Sequence, residues 1–217
     1  MNIHPEQHGT KAALPEELQR HFPEVQPAIQ QRLKEFSQVP REEYFYELCF
    51  CLCTPQSKAV NAERVVNILK ERDFRRQGFD PVDILRDPAH YIRFHRTKAN
   101  RLMEVRGQFP EIDRMLASGL APEEKRLWLV EHVKGMGMKE AAHFLRNIGY
   151  RDLGILDRHI LKHLVQCGVF AALPAVGTAK RYREVEDAFR AFAAAVHIPM
   201  DELDLFFWYL QAGEILK

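Results

Sequence analysis

The stretch LWLVEHVKGMGMKEAAHFLRNIGYRDLGILDRHILKHL, from Leu127 to Leu164, decides the fold of this chain. Apolar residues recur at helical spacing on both sides of Gly135-Met136-Gly137, which predicts two helices joined by a tight turn. We expect the first helix to span about residues 122–133 and the second about residues 138–148. The rest of the chain can be interpreted by what this helical hairpin needs around it.

The glycine turn is suited to binding an anion. Glycines let the backbone N–H groups at the start of the second helix point outward, and the helix dipole favours negative charge there. Gly135 and Gly137 are therefore candidate donors to a phosphate. The same spacing also fits an ordinary corner between two helices, so the glycines alone do not decide.

Lys139 and Asp157 add candidate chemistry to the hairpin. Lys139 falls in the first turn of the second predicted helix, where the dipole disfavours a positive charge. A neutral amine is the form that can attack carbon and form a Schiff base. Asp157 precedes the next predicted helix and suits an N-cap, a role compatible with a catalytic carboxylate. An exposed surface lysine and a simple capping aspartate are the alternatives.

Composition and charge indicate an ordinary globular protein. The 217 residues are 46% hydrophobic and 28% charged, with a formal net charge of +1. The sequence shows no apolar run of membrane-spanning length and no signal-peptide pattern, so we expect a cytoplasmic protein. The segment from Tyr91 to Arg106 contains five Lys or Arg residues and one glutamate. This basic segment is either a phosphate-binding surface or a solvated helix face.

The remaining chain favours helices throughout. No stretch shows the sustained alternation of a strand, so we expect an all-α protein with roughly ten to twelve helices. Pro23 should interrupt the first helix, and residues 97–107 and 112–116 should form separate helices. The four cysteines are interpreted as small core residues. His159 and His163 lack the further ligands that a zinc site needs.

Several motifs together resemble a known family. They are Gly135-Met136-Gly137-Met138-Lys139, the run ILDRHI at residues 155–160, and the segments 50–59, 93–99 and 212–217. They resemble the helix-hairpin-helix, Gly/Pro-rich, aspartate-containing superfamily of DNA glycosylases, and most of all its archaeal-type type 2 8-oxoguanine DNA glycosylase/AP lyases. The resemblance covers roughly residues 18 to 217.

The resemblance implies an all-α fold of two helical subdomains with the helix-hairpin-helix motif and the active-site cleft between them. One subdomain is expected to combine residues 16–57 with 158–217. The other is expected to span residues 58–157 and to end in the helix-hairpin-helix at 122–149. Residues 1–15 are expected to be mobile.

The resemblance also implies a reaction and its residues. Lys139 would form a Schiff base with the damaged nucleotide, expel 8-oxoguanine and cut the strand by β-elimination, while Asp157 would stabilise the positive charge on the sugar. The implied contacts to the base are Gln56, Ser57, Phe94, Trp208 and Lys217. The implied contacts to the DNA are Gly135, Gly137, Met138, His159, Arg96 and Lys98. Four of the base contacts have an alternative that the sequence leaves open. Ser57 could cap a helix, Phe94 and Trp208 could be core residues, and Lys217 could lie in a solvated terminus.

No metal is expected at the chemical step. The resemblance implies a sodium or potassium ion on the backbone carbonyls of Glu131, Val133 and Met136, and no cysteine run follows Cys167 to bind an iron–sulfur cluster. The expected partner is double-stranded DNA containing 8-oxoguanine, bound by a monomer.

Three other functions compete with this one. They are a glycosylase for another damaged base such as an oxidised pyrimidine, a non-catalytic helix-hairpin-helix DNA-binding module, and a helical interaction domain without a nucleic-acid partner. The terminal Lys217 and the missing cluster argue against another base. A binding module would need neither Lys139 nor Asp157.

Overall fold

The structure is a computed structural model that describes residues 12–215, so Lys217 lies outside the described residues. Over that range the chain forms eleven α-helices, two short 3-10 helices at Arg41–Glu43 and Pro88–His90, and no strand. The α-helices are α1 (Glu16–Ser37), α2 (Tyr44–Cys53), α3 (Ala59–Glu71), α4 (Phe74–Gln77), α5 (Val82–Arg86), α6 (His95–Leu116), α7 (Pro122–His132), α8 (Met138–Asn147), α9 (Arg158–Gln166), α10 (Ala179–Ala195) and α11 (Met200–Ala212). The all-α prediction is confirmed.

The described residues divide into two compact units. One contains residues 12–32 with 156–215, and the other is Leu33–Ile155. The expected boundary between residues 57 and 58 is therefore wrong, because α2 belongs to the central unit. Helix α2 packs against α3, α6 and α8 of that unit.

Helix α2 forms the centre of the Leu33–Ile155 unit. Eight of its ten residues are buried, and a helix that is apolar all round belongs inside a core. Its three cysteines, Cys49, Cys51 and Cys53, are fully buried, and Cys167 is buried in the other unit. The prediction that the cysteines are core residues is confirmed.

Helix α1 continues through two prolines, contrary to the expected interruption at Pro23. Pro23 and Pro27 both lie inside it. Each interior proline costs about 3 kcal/mol in a helix. The helix nevertheless buries a long apolar stripe, and each buried side chain contributes about 1.5–3 kcal/mol. The buried side chains of this stripe are Phe22, Val25, Ile29, Leu33 and Phe36.

Helix α6 is one helix where two were expected. Gly107 and Pro110 lie inside it and do not end it. The buried stripe continues past both residues with Phe109 and Ile112, so packing again outweighs the local preference. The basic residues from Arg96 to Arg106 therefore lie on α6, within the central unit.

The unit of residues 12–32 and 156–215 packs α11 against α9 and α10. Residues 12–15, expected to be mobile, are held there. The N–H of Ala13 donates to the carbonyl of Cys167 at 3.1 Å, and Leu14 is buried.

A matched pair of glycine substitutions tests the packing of the central unit. Gly149 has φ +95°, and a β-carbon there would lie 2.9 Å from Cα of Ser37. Gly149→Ala should lower the free energy of unfolding by about 2 kcal/mol or more, because the backbone is strained and the neighbour is backbone. Gly107→Ala, with nothing within 4 Å of the new carbon, should raise it by up to about 1 kcal/mol. Urea unfolding measures both, and equal effects would contradict this packing.

Candidate active site

The hairpin between α7 and α8 forms as the sequence predicts. Both helices end within one residue of the expected positions. Gly135 has φ +92°, a conformation that a side chain rarely adopts, and the N–H of Met136 donates to the carbonyl of Val133 at 3.1 Å. A β-carbon at Gly135 would lie 2.6 Å from Cδ of Arg101. The turn is therefore built for glycine by its backbone angle and by its neighbour.

Two of the predicted DNA contacts in the hairpin, Gly137 and Met138, already have contacts within the protein that bear on how they could bind DNA. The N–H of Gly137 already donates to Oε2 of Glu140 at 3.2 Å, an N-terminal capping interaction for α8. In this structure that donor is therefore occupied. The side chain of Met138 is buried, so a contact from this residue could come only from its backbone. The role of Gly135 stays a prediction.

Lys139 lies in the first turn of α8, as predicted. Its side chain is 34% exposed, so a substrate can reach the amine. Its Nζ lies 3.1 Å from Oε1 of Glu140. The carboxylate of Glu140 thus contacts the amine through one oxygen and caps the helix through the other.

Glu140 is a site residue that the sequence reasoning missed. A glutamate three positions after a helix N-cap often accepts from the N–H of that N-cap, as in one half of a capping box, and Gly137 is the N-cap of α8. That spacing could have identified the residue. It could not have shown that the same carboxylate reaches Lys139.

The basic segment does not form one uniform surface. Arg93 and Arg96 are exposed, and the guanidinium of Arg93 lies 4.9 Å from the centre of the Phe94 ring. Arg101 lies against the hairpin at Gly135. Arg106 instead donates to the carbonyls of Arg75 at 2.9 Å and Arg76 at 3.0 Å.

Lys98 is not placed to bind DNA, contrary to the prediction. Its side chain is 2% exposed. Its Nζ donates to the carbonyls of Cys53 and Pro55, at 2.7 and 2.6 Å, and to Oγ of Ser57 at 3.2 Å. Burial lowers the pKa of the Lys98 amine to about 8. Lys98 comes four residues before Leu102, so helical spacing places both on one face, and Leu102 is buried.

Gln56 and Phe94, two of the predicted base contacts, are exposed. Ser57, the third such residue in the central unit, does not cap a helix. Gln56 and Phe94 both have positive φ, 56° and 60°, and the Phe94 side chain is 51% exposed, which rules out a core position. Oγ of Ser57 accepts from the N–H of Arg93 at 3.0 Å as well as from Lys98. Ser57 therefore links two segments, and Lys58 is the N-cap of α3.

In the other unit, Asp157 caps α9 as predicted. Its Oδ1 accepts from the N–H groups of His159 at 2.8 Å and Ile160 at 2.9 Å. The cap uses one oxygen of the carboxylate. The ring of Trp208 is partly exposed and lies 5.5 Å from the ring of His159, whereas its neighbour Phe207 is fully buried.

Within residues 12–215, no three His, Cys, Asp or Glu side chains are grouped so that they could bind a metal ion. The helices of that range also include none with the length and apolar character needed to cross a membrane.

An all-α chain with a glycine hairpin and a reachable lysine at the start of its second helix is the arrangement expected of a helix-hairpin-helix DNA glycosylase. The chain belongs to the 8-oxoguanine DNA glycosylase family, whose model matches residues 29–198. It is 37% identical over 211 residues to the 8-oxoguanine DNA glycosylase/AP lyase of Fusobacterium nucleatum, covering 93% of this chain and 96% of that protein. It is 34% identical to the protein of the same name from Methanocaldococcus jannaschii, covering 89% of this chain and 94% of that one.

Two solved structures of 8-oxoguanine glycosylases are also similar to this chain. The Methanocaldococcus jannaschii 8-oxoguanine glycosylase/lyase in complex with a 15mer DNA containing 8-oxoguanine superimposes with a TM-score of 0.83 at 31% identity, covering 93% of this chain and 98% of that one. The 8-oxoguanine DNA glycosylase of Thermotoga maritima gives a TM-score of 0.81 at 32% identity, covering 93% of this chain and 97% of that one.

The turn can be tested through DNA affinity. Gly135→Ala should weaken binding to a duplex about tenfold, because strain of about 1–3 kcal/mol and displacement of Arg101 open the turn. Gly119→Ala, where a β-carbon meets nothing within 4 Å, is the matched control and should bind as the wild type does. Fluorescence anisotropy at one fixed salt concentration measures both affinities. Unchanged binding by Gly135→Ala would exclude the turn from the DNA interface.

The buried amine of Lys98 should affect stability as a function of pH. Its pKa falls from 10.5 to about 8 on folding, so between these values the unfolded state binds the extra proton. Lys98 should therefore make the free energy of unfolding rise with pH in that window and leave it unchanged below it. Urea unfolding of wild type and Lys98→Met at about pH 7.5 and 9.5 isolates this contribution. The free energy of unfolding of the wild type should rise relative to that of the variant at the higher pH. A difference between them that stays constant or falls would contradict the lowered pKa.

Proposed function

We propose that this protein excises 8-oxoguanine from double-stranded DNA and cuts the strand through a Schiff base on Lys139. The observation that carries the proposal is the position of Lys139. Its amine is reachable and lies in the first turn of the second hairpin helix, beside a glycine turn suited to a phosphate. The named relatives, called 8-oxoguanine DNA glycosylase/AP lyase, support the choice of base and of a lyase step.

The reaction takes place outside the base stack. The duplex must extrude the damaged nucleotide, at a cost of a few kcal/mol, before the sugar can be attacked. The nitrogen of Lys139 then bonds to C1′, and the bond from C1′ to the base breaks. The base leaves with the electron pair and takes up a proton. The remaining adduct loses a proton from nitrogen. The bond from C1′ to the ring oxygen then breaks as the nitrogen lone pair forms the C=N bond, and the ring oxygen takes up a proton, which gives a protonated imine.

The imine makes strand scission possible. Loss of a proton from C2′ of the imine breaks the bond between C3′ and its oxygen, which cuts the strand on the 3′ side. Water then releases Lys139 from the product. Asp157 stabilises the positive charge that develops on the sugar, since one carboxylate oxygen suffices for its cap of α9.

Three exposed or partly exposed side chains are proposed to contact the base. Gln56 and Phe94 are held with positive φ, a strained conformation that is often found at binding sites. The partly exposed ring of Trp208 is suited to stacking. Lys217, outside the described residues, stays a predicted contact to the damaged purine.

Arg96 and His159 remain proposed contacts to the DNA. Arg96 is exposed, and His159 lies in the first turn of α9 next to Trp208. A sodium or potassium ion on the carbonyls of Glu131, Val133 and Met136 also remains a proposal. The oxygen of Val133 accepts one hydrogen bond and keeps a second lone pair for such an ion. The monomeric state and the cytoplasmic location are further expectations from the sequence.

Substitution of the nucleophile tests the proposed function. A labelled duplex with one 8-oxoguanine should be cut by the wild type and left intact when undamaged. Lys139→Gln should slow cutting by at least about a thousandfold, as the loss of other catalytic nucleophiles does. Lys134→Gln is the matched control, because Lys134 lies on the same hairpin and pairs with Glu104 at 3.0 Å. Cutting that survives in Lys139→Gln would reject Lys139 as the nucleophile.

A further inference from the structure

Lys98 is a buried cation that holds one loop. Its ammonium has three donors, and they go to the carbonyls of Cys53 and Pro55 and to Oγ of Ser57. Burying a charge is costly, and an apolar side chain of similar size often serves stability better. The acceptors lie on the last residue of α2 and on the corner between α2 and α3, so the effect of the charge is concentrated on the conformation of that corner.

The corner contains Gln56, a non-glycine residue with φ 56°. A second such residue, Phe94 with φ 60°, precedes α6. Residues in this region of backbone angles cost of order 1–3 kcal/mol each and persist only where surrounding contacts hold them. Both side chains are exposed, so burial of their own side chains does not account for this conformation.

A hydrogen-bond network joins the two strained residues. Oγ of Ser57, the residue after Gln56, accepts from Nζ of Lys98 at 3.2 Å and from the N–H of Arg93 at 3.0 Å. Arg93 directly precedes Phe94, and the N–H of Lys98 itself donates to the carbonyl of Phe94 at 3.0 Å. The side chain of Lys98 thus contacts the corner directly and reaches the residue before Phe94 through Ser57, whereas its backbone bond to Phe94 is the first hydrogen bond of α6 and does not depend on the side chain.

We propose that Lys98 is a positioning residue for base excision, which holds Gln56 and Phe94 in the conformations that present their side chains to the extruded base. The inference rests on the proposed function, because that function places Gln56 and Phe94 at the base. Lys98 itself touches no substrate. Its effect should therefore appear only on a substrate that still carries its base.

Two substrates separate positioning from a merely structural role. A duplex with 8-oxoguanine requires the base contacts, whereas a duplex with a preformed abasic site requires Lys139 but offers no base to hold. Lys98→Met should slow excision of 8-oxoguanine on the order of tenfold to a hundredfold, as expected for a misplaced binding group. Cutting at the abasic site should stay within about twofold of the wild type once the folded fraction is accounted for.

Lys125 provides a matched control. It is also a buried lysine, and its Nζ donates to the carbonyls of Met115, Leu116 and Ser118 at 3.2, 3.1 and 2.6 Å. Those acceptors lie at the end of α6 and just after it, on a segment that contains neither Gln56 nor Phe94. Lys125→Met should therefore leave the ratio of the two single-turnover rates unchanged, whatever its effect on stability.

Ser57→Ala is the second variant. It removes the link to Arg93 and leaves the buried ammonium with its two carbonyls, so it should lower the same ratio with a smaller loss of stability. If Lys98→Met does not fold, an unchanged ratio in Ser57→Ala overturns the positioning role.

The outcomes are distinguishable. An equal loss on both duplexes in Lys98→Met and Ser57→Ala would overturn the positioning role and leave the proposed function standing. A wild-type protein that cuts neither duplex would overturn the proposed function, and this inference with it. A selective loss on the 8-oxoguanine duplex, absent from Lys125→Met, is the result expected.

Discussion

The turn between α7 and α8 is the constraint on which the candidate site depends. Gly135 must take a positive φ for the chain to reverse in so few residues, and Arg101 fills the space beside it. This reversal fixes where α8 begins, and therefore where Lys139 lies relative to the backbone of the hairpin. A longer turn would place Lys139 farther from Gly135, the residue of the turn that stays a candidate phosphate donor.

Glu140 makes two further contacts at the start of α8. Its carboxylate caps α8 at Gly137 and contacts the amine of Lys139. The cap orders the first turn of the helix, and the ion pair orders the lysine.

The sequence was sufficient for the parts of the fold that follow local rules. The hairpin, the cap at Asp157 and the all-α class depend on glycine, helix periodicity and capping, which act over a few residues. It was not sufficient where packing overrides local preference, as at Pro23 within α1 and Pro110 within α6. Lys98 shows the same limit for the site. A lysine in a basic segment suggests phosphate, and only the tertiary contacts show that its donors are used on the α2–α3 corner.

The central claim is that Lys139 becomes covalently bound to the sugar. The most direct measurement is borohydride reduction of the protein mixed with an 8-oxoguanine duplex, followed by digestion and mass spectrometry of the cross-linked peptide. The account predicts a nucleotide adduct on Lys139, and only when the duplex carries the lesion. An adduct on another lysine would show that the hairpin positions a different nucleophile. The absence of any adduct, with excision intact, would contradict the Schiff-base mechanism.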